Sequence, residues 1–171
     1  SVRQGKSDFG ILSYPDRWPD LAHIPLRDER MVAVFRVGHR LHGQTRHRPA
    51  DLADERLIGF DASLRISREI RSYLRRHGVQ PTVESSFDNI DTIKAAVSET
   101  DGVGILPRRT VRVEVARGVL ATADLQPTLI RPLAIVHRRD RALPPVVDAF
   151  VHYLRDHDLP EEGSRMTAPA A

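Results

Sequence analysis

Three short stretches of this chain carry residues suited to holding a small molecule. Residues 59–64, GFDASL, join an apolar strand to an amphipathic helix. A helix N-terminus offers N–H groups without partners and the positive end of a dipole, which suits a carboxylate or phosphate. Ser63 can donate a hydrogen bond there, Phe60 can pack against an apolar body, and Asp61 and Leu64 complete the candidate set. Helix capping is the plainer account of Asp61 and Ser63, because short oxygen-bearing side chains accept from the first free N–H groups. Ser13 and Tyr14 leave a strand at its carboxyl end, where open α/β sheets take ligands. A packed loop aromatic is the plainer account of Tyr14. Asn89 and Thr92, beside Asp88, stand at a second helix N-terminus, and capping is again the competing account.

Other polar groups point away from catalysis. His39, His42 and His47 share an arginine-rich loop, and neighbouring cations oppose metal binding, so a solvated loop is expected. Asp51, Asp54 and Glu55 resemble an acid–base set but fit surface positions of a short helical turn. The chain has no nucleophile elbow, phosphate loop or dinucleotide fingerprint. No metal, cofactor or enzymatic reaction is expected.

The elements that position these residues alternate between strand and helix. Residues 85–107, SSFDNIDTIKAAVSETDGVGILP, read as strand, helix and strand. Ile90, Ile93 and Val97 recur at helical spacing. Asp88 or Asn89 caps the helix, and Gly102 is expected to stop it in the left-handed conformation. Residues 103–106 are a short apolar run, which suits a parallel sheet covered on both faces. Upstream, residues 1–5 read as the end of a helix and 8–12 as a buried strand. Residues 13–20 form a proline-rich loop, 21–26 hold a short strand or turn, and 30–37 form a strong strand. A helical turn started by Pro49 or Asp51, a strand at 57–60 and a helix at 64–77 follow. That helix buries Ile66, Ile70, Tyr73 and Leu74 and keeps Arg65, Arg68, Arg71, Arg75 and Arg76 outside. Residues 109–117 alternate like a strand but are charged, brief and stopped by Gly118, and helix is the reading taken. Strands at 119–125 and 132–137 precede a last helix opened by Pro144 and Pro145, with Val146, Val147, Phe150 and Leu154 as its core face. The pattern predicts an α/β architecture with mostly parallel strands.

Composition agrees with a folded domain: 171 residues, 40% hydrophobic and 29% charged. The net charge is +3, and only Lys6 and Lys94 are lysines. Acids alternate with the arginines, which marks a solvated surface rather than a nucleic-acid face. The absence of cysteine excludes disulfides and thiolate metal sites and fits a reducing compartment. No apolar run approaches the roughly 20 residues of a membrane span, and no secretory signal opens the chain. A domain rarely opens on the last turn of a helix, so further sequence is expected before Ser1.

The order of motifs resembles the effector-binding domain of LysR-type transcriptional regulators. Residues 2–12, VRQGKSDFGIL, match one family segment, and residues 25–32, PLRDERMV, followed by GHRL at 38–41, match the next. Asp51-Leu52 with Leu57-Ile58, DNIDTIK at 88–94 and GVGILP at 102–107 continue the order, and Gly118-Val119-Leu120, Arg131-Pro132-Leu133 and Phe150 complete it. The resemblance implies an α/β, two-lobed fold like type 2 periplasmic binding proteins, with lobe I incomplete at its N-terminus. Residues 1–36 and 132–157 would form lobe I, 37–131 lobe II, and 158–171 a disordered tail. It implies a small, anionic effector bound between the lobes. It also implies promoter DNA bound through a helix-turn-helix domain absent from this chain, a cytoplasmic homodimer or homotetramer, and no membrane. A transporter's solute-binding protein, which shares the fold, is the alternative.

Overall fold

Two long strands, β2 (Leu21–Arg36) and β7 (Leu120–Arg138), lie side by side and organise the rest of the chain. The computed structural model describes residues 2–16 and 18–156. Each long strand unites two segments that the sequence reads separately. The interruption at residues 27–29 is charged, which looks like loop, yet it stays in register: Arg27 faces Leu133, Asp28 faces Pro132 and Glu29 faces Arg131. The charges are tolerated because Glu29 meets Arg131 across the ladder, at 3.1 Å. Two register shifts, at Pro25/Arg27 and Met31/Val32, take up the irregularity.

β1 (Phe9–Ser13) pairs antiparallel with β7 on its outer side. β6 (Gly104–Pro107) pairs antiparallel with β2, giving the order β1-β7-β2-β6, and the two-residue β3 (Arg46–His47) adds in parallel to β7. β4 (Arg56–Phe60) and β5 (Thr82–Phe87) form a separate parallel pair. A bridge from Leu57 to Val103 joins that pair to the approach of β6. The prediction of mostly parallel strands is therefore overturned, since the longest ladder, β2 with β7, and both strands flanking it, β1 and β6, are antiparallel. β6 is buried at all four residues, as its apolar run implies, but such a run reports burial and not direction.

Helices cover these sheets. α1 (Arg65–Arg76) buries Ile66, Ile70, Tyr73 and Leu74 as its spacing predicts. α2 (Ile90–Glu99) buries Ile93 and Val97 and is capped by Asn89, whose Oδ1 accepts from the N–H groups of Asp91 and Thr92 at 2.7 and 3.2 Å. Gly102 does not end α2 in a left-handed turn. The helix closes at Thr100 with extended backbone, and Gly102 is required for space: a Cβ there would meet Ile58 Cγ1 at 2.5 Å. Residues 108–116 are helical, a 3-10 turn running into α3 (Arg112–Ala116). The turn at Pro49–Leu52 is also 3-10 and starts at the proline. α4 (Pro145–Asp156) bears out only part of its expected face, Leu154 being buried as predicted. Val151 and Leu154 are buried, whereas Val146 and Phe150 are 76% and 45% exposed. Two apolar stripes adjoin on this helix, and the sequence does not say which one the sheet covers.

The main core gathers residues 31–35 of β2 with Leu57, Ile58, Phe60, the α1 and α2 stripes and Leu120 to Leu129 of β7. Each fully buried side chain of this size contributes about 1.5–3 kcal/mol. Two smaller clusters, Val2–Leu21–Val136 and Ile135–Val151–Leu154, lie at the other end of β7. The expected solvated histidine loop is instead partly core. His39 and His47 are buried against Phe35, with ring centroids at 5.5 and 6.1 Å. His39 Nδ1 accepts from the Leu41 N–H and its Nε2 lies 3.1 Å from the Asp101 carbonyl; His47 Nε2 lies 3.1 Å from the Leu41 carbonyl. Imidazole bodies pack like aromatics, and the loop backbone supplies their hydrogen bonds. Glu55 is likewise buried rather than on the surface, with Arg40 at 2.7 Å. His42 is exposed. No group of three metal-ligating side chains occurs among the described residues. No described helix is long and apolar enough to cross a membrane. The predicted tail at 158–171 lies outside the described residues.

Candidate functional site

Parallel pairing brings two of the candidate stretches together. β4 and β5 end side by side, Phe60 opposite Phe87, and the Asp61 N–H donates to the Phe87 carbonyl at 2.9 Å. The turn at 61–64 and the α2 N-terminus at 89–92 therefore stand at one edge. Asp61, Ser63 and Asn89 are already engaged there. Asp61 Oδ1 accepts from the Ser63 N–H at 2.8 Å and from the Ser63 hydroxyl at 2.6 Å. These bonds hold the Asp61 carboxyl below its ordinary range, the hydroxyl contributing most. The pair closes a turn on itself instead of capping α1, whose N-cap is Leu64 with no side-chain bond. Asn89 is occupied as a cap, and both Asn89 and Thr92 are exposed. Phe60 is buried, its carbonyl accepting from the Ser67 hydroxyl at 2.9 Å, and Leu64 packs against the same core.

The third stretch behaves differently. Ser13 ends β1 opposite Leu133, half-buried, and Tyr14 follows with its N–H donating to the Pro132 carbonyl at 2.8 Å. Tyr14 has φ +50°, alone among the described non-glycine residues in the left-handed region. That conformation costs an ordinary residue roughly 1–2 kcal/mol. Its ring is buried in the main core, in the cluster that holds Phe60. Its hydroxyl finds no hydrogen-bond partner among the described residues. Burial pushes this phenol up to about 12, with Glu69 raising it further and Arg131 and Arg65 opposing. The group therefore remains a donor at neutral pH.

Charged residues that the sequence reading did not select surround Tyr14. Glu29 is buried between two arginines, with Arg131 Nε at 3.1 Å and an Arg109 nitrogen at 3.8 Å. The contact to Arg131 is ionic rather than an aligned hydrogen bond. Asp16, two residues beyond Tyr14, pairs with Arg65 on the first turn of α1, and Arg65 also reaches Glu69 at 3.4 Å. The sequence did signal these positions, because PLRDERMV and Arg131-Pro132 are among its motifs. The contact between β2 and β7 that joins them was not legible there.

The room beside Gly59 and Phe60 is small. The crevice touching Gly59 and Phe60 has about 10 Å³, enough for one water. Small-molecule sites measure about 300–1,000 Å³. A trough of about 710 Å³ lies elsewhere, along Val2, Gly10, Leu12, Trp18, Leu21 and Val136, and none of the candidate residues lines it.

Comparison with known proteins agrees with this architecture. The family model described as the LysR substrate binding domain matches residues 1–159. The SDS degradation transcriptional activation protein of Pseudomonas sp. is 32% identical over 145 residues, covering 82% of this chain and 46% of that protein. The HTH-type transcriptional regulator MetR of Escherichia coli K12 is 27% identical over 157 residues, covering 92% and 49%. This chain thus spans about half the length of the curated relatives it matches. Among solved structures, the Synechocystis PCC6803 CcmR regulatory domain in complex with 2-PG superposes with a TM-score of 0.81 at 24% identity, covering 91% of this chain and 75% of that one.

Proposed function

We propose a function from one premise: this chain belongs to the LysR substrate-binding-domain family. Its relatives are transcriptional regulators rather than enzymes. On our reading the chain is the effector-sensing part of such a regulator, and promoter DNA is bound by a helix-turn-helix domain outside it. The observation that carries this reading is the match of residues 1–159 to the family model. We read residues 1–36 and 132–157 as one lobe and 37–131 as the other. The two long strands would join them; the small clusters lie apart from the main core, which also takes in Tyr14 and residues 31–35 of the first lobe.

The effector would sit between the lobes, near Ser13, Tyr14 and the 60–64 turn, with Asn89 and Thr92 at its margin. Arg131 and Arg65 act on Tyr14 against Glu69 and Glu29, and an anion would pair with those arginines. Binding would favour one arrangement of the lobes by the ligand's differential affinity for the two. In the intact homodimer or homotetramer, that shift would move the paired DNA-binding domains. The setting would be cytoplasmic.

Thermal unfolding of the chain against a panel of small organic anions and matched neutral compounds tests this. At least one anion should raise Tm with concentration, as a ligand at 100 times its Kd adds about 2.7 kcal/mol. Arg131→Gln should abolish that rise. A panel in which no anion stabilises the chain sinks the effector-sensing reading.

A further inference from the structure

β2 and β7 are not equally supported along their length. β1 pairs with β7 from Leu133 onward, and β6 pairs with β2 from Met31 onward. Between those points, residues 28–30 and 130–132 pair with each other and, among the described residues, with no third strand. Register shifts bracket this ribbon, at Pro25/Arg27 on one side and Met31/Val32 on the other. Pro132 has no N–H to give to its ladder. Apolar cover is missing too. The main core reaches Met31 and Leu129, and the smaller clusters take up again at Leu26 and Ile135. Two paired strands without such cover are marginally stable and take up twist readily. The ribbon therefore joins two bodies, one built on the main core and one on the two smaller clusters.

Its buried face is ionic. The Glu29 side chain is 8% exposed, with Arg131 directly across the ladder at 3.1 Å. The other Glu29 oxygen lies 3.8 Å from an Arg109 nitrogen. Arg109 stands on the 3-10 turn Arg108–Val111, which the buried Val111 anchors in the main core. Glu29 thus touches one residue of the ribbon and one residue of a body that the ribbon carries.

We propose that Glu29 is a positioning residue: its contact with Arg109 fixes the twist of the ribbon and, through it, the angle between the two bodies. The inference rests on the two-lobed, effector-sensing reading and names the residue that controls the lobe arrangement.

The two arginines differ in what they can control. Arg131 rides on the ribbon beside Glu29, so that pair survives a change of angle. It also keeps the buried carboxylate compensated throughout. Arg109 does not ride on the ribbon, so its contact to Glu29 depends on the angle. Where water is excluded, an ionic contact loses energy steeply as the charges separate. The remaining ties between the bodies are poorer controls. Tyr14 enters the main core, but its N–H donates to the Pro132 carbonyl, so it sits at the pivot, where rotation moves it least. Arg30, on the ribbon's solvent side, is 54% exposed and 3.7 Å from Asp124. The Asp16–Arg65 pair is 54% and 35% exposed. Exposed pairs of this kind hold weakly.

The chain has no cysteine, so two introduced cysteines carry spin labels without interference. Ala149→Cys on α4 and Ala95→Cys on α2, both exposed, report the distance between the bodies. Arg76→Cys on α1 with Ala95→Cys reports a distance within the main-core body. Double electron–electron resonance of the 171-residue chain, with no ligand added, compares wild type, Glu29→Gln, Arg109→Gln and Asp16→Asn. Glu29→Gln and Arg109→Gln should each shift or broaden the 95–149 distance by more than about 2 Å, the size of a rearrangement rather than a side-chain adjustment. The 76–95 distance should stay as in wild type, and Asp16→Asn should change neither.

An unchanged 95–149 distance in either of the first two variants overturns the proposal. So does an Asp16→Asn shift as large as that of Glu29→Gln, which would place control in the loop. If Glu29→Gln fails to fold, seen as loss of the 76–95 distance, Arg109→Gln decides, because it leaves Glu29 paired with Arg131. A changed 76–95 distance in Arg109→Gln would make Arg109 part of the body's fold and also sinks the idea. These outcomes stand apart from the thermal test of effector sensing. An anion that stabilises a chain whose lobe angle ignores Arg109 overturns this inference and leaves that reading intact.

Discussion

The turns after β4 and β5 and the loop after β1 both lie at strand carboxyl ends, yet they treat their polar groups in opposite ways. After β4, Asp61 takes both hydrogen bonds that Ser63 can give. After β5, Asn89 caps two backbone N–H groups of α2. These residues complete their own turns. After β1, Tyr14 buries a hydroxyl with no partner, beside a glutamate held between two arginines. A polar residue at a strand end is thus weak evidence for a site until its partners are known. What singles out a place for a ligand is hydrogen-bonding capacity that the fold has buried and left unused.

Glu29→Ala gives the contrast its largest expected effect. It removes the carboxylate that Arg131 and Arg109 share in a largely buried place, so stability should fall by roughly 3 kcal/mol. Urea unfolding monitored by circular dichroism measures this. A loss below about 1 kcal/mol would mean that water already reaches these arginines, and the two regions would then differ little.

Cap and hydroxyl can be weighed against each other at smaller scale. Asn89→Ala removes an engaged side chain and should cost about 1 kcal/mol. Tyr14→Phe removes an unengaged hydroxyl and should leave stability unchanged or raise it by up to about 1 kcal/mol. The same urea experiment reads both. If Tyr14→Phe is the more destabilising of the two, the phenol has a partner and the contrast collapses.

The sequence made the helices legible because their apolar spacing is regular: Ile66, Ile70, Tyr73 and Leu74 on α1, and Ile93 and Val97 on α2, are buried as the period demands. It misread what period cannot encode. Strand direction was lost at β6, whose buried partner β2 runs antiparallel. The continuity of β2 is not legible at Arg27, Asp28 and Glu29, whose charges look like loop until Glu29 meets Arg131. Gly102 was given the right importance for the wrong reason, since Ile58 and not a turn excludes a side chain there. His39 and His47 read as solvated because the loop around them is basic, though Phe35, close before them in sequence, packs against both rings. At the candidate site, Ser13, Tyr14 and the 59–64 turn were legible from their places at strand ends. The Glu29–Arg131–Arg109 cluster was not, because it depends on pairing across about a hundred residues of chain.

The smallest effect lies at Ser63 and is one of titration rather than of stability. The Ser63 hydroxyl is the largest influence holding Asp61 below its ordinary 3.8, and the Ser63 backbone N–H adds to it. Ser63→Ala removes only the hydroxyl, so the carboxyl should titrate closer to 3.8 while staying below it. The sign for stability follows: a carboxylate favoured in the folded state contributes stability above 3.8 and loses it as pH falls through the lower folded value. The substitution therefore lowers the contribution present above 3.8, and the acid-side loss shrinks with it. Carbon-detected NMR of the Asp61 carboxyl follows the midpoint directly. A midpoint that does not move would show the hydroxyl pointing elsewhere in solution. Ser63 would then join Tyr14 as an unengaged donor, and the turn after β4 would regain an equal claim on the ligand.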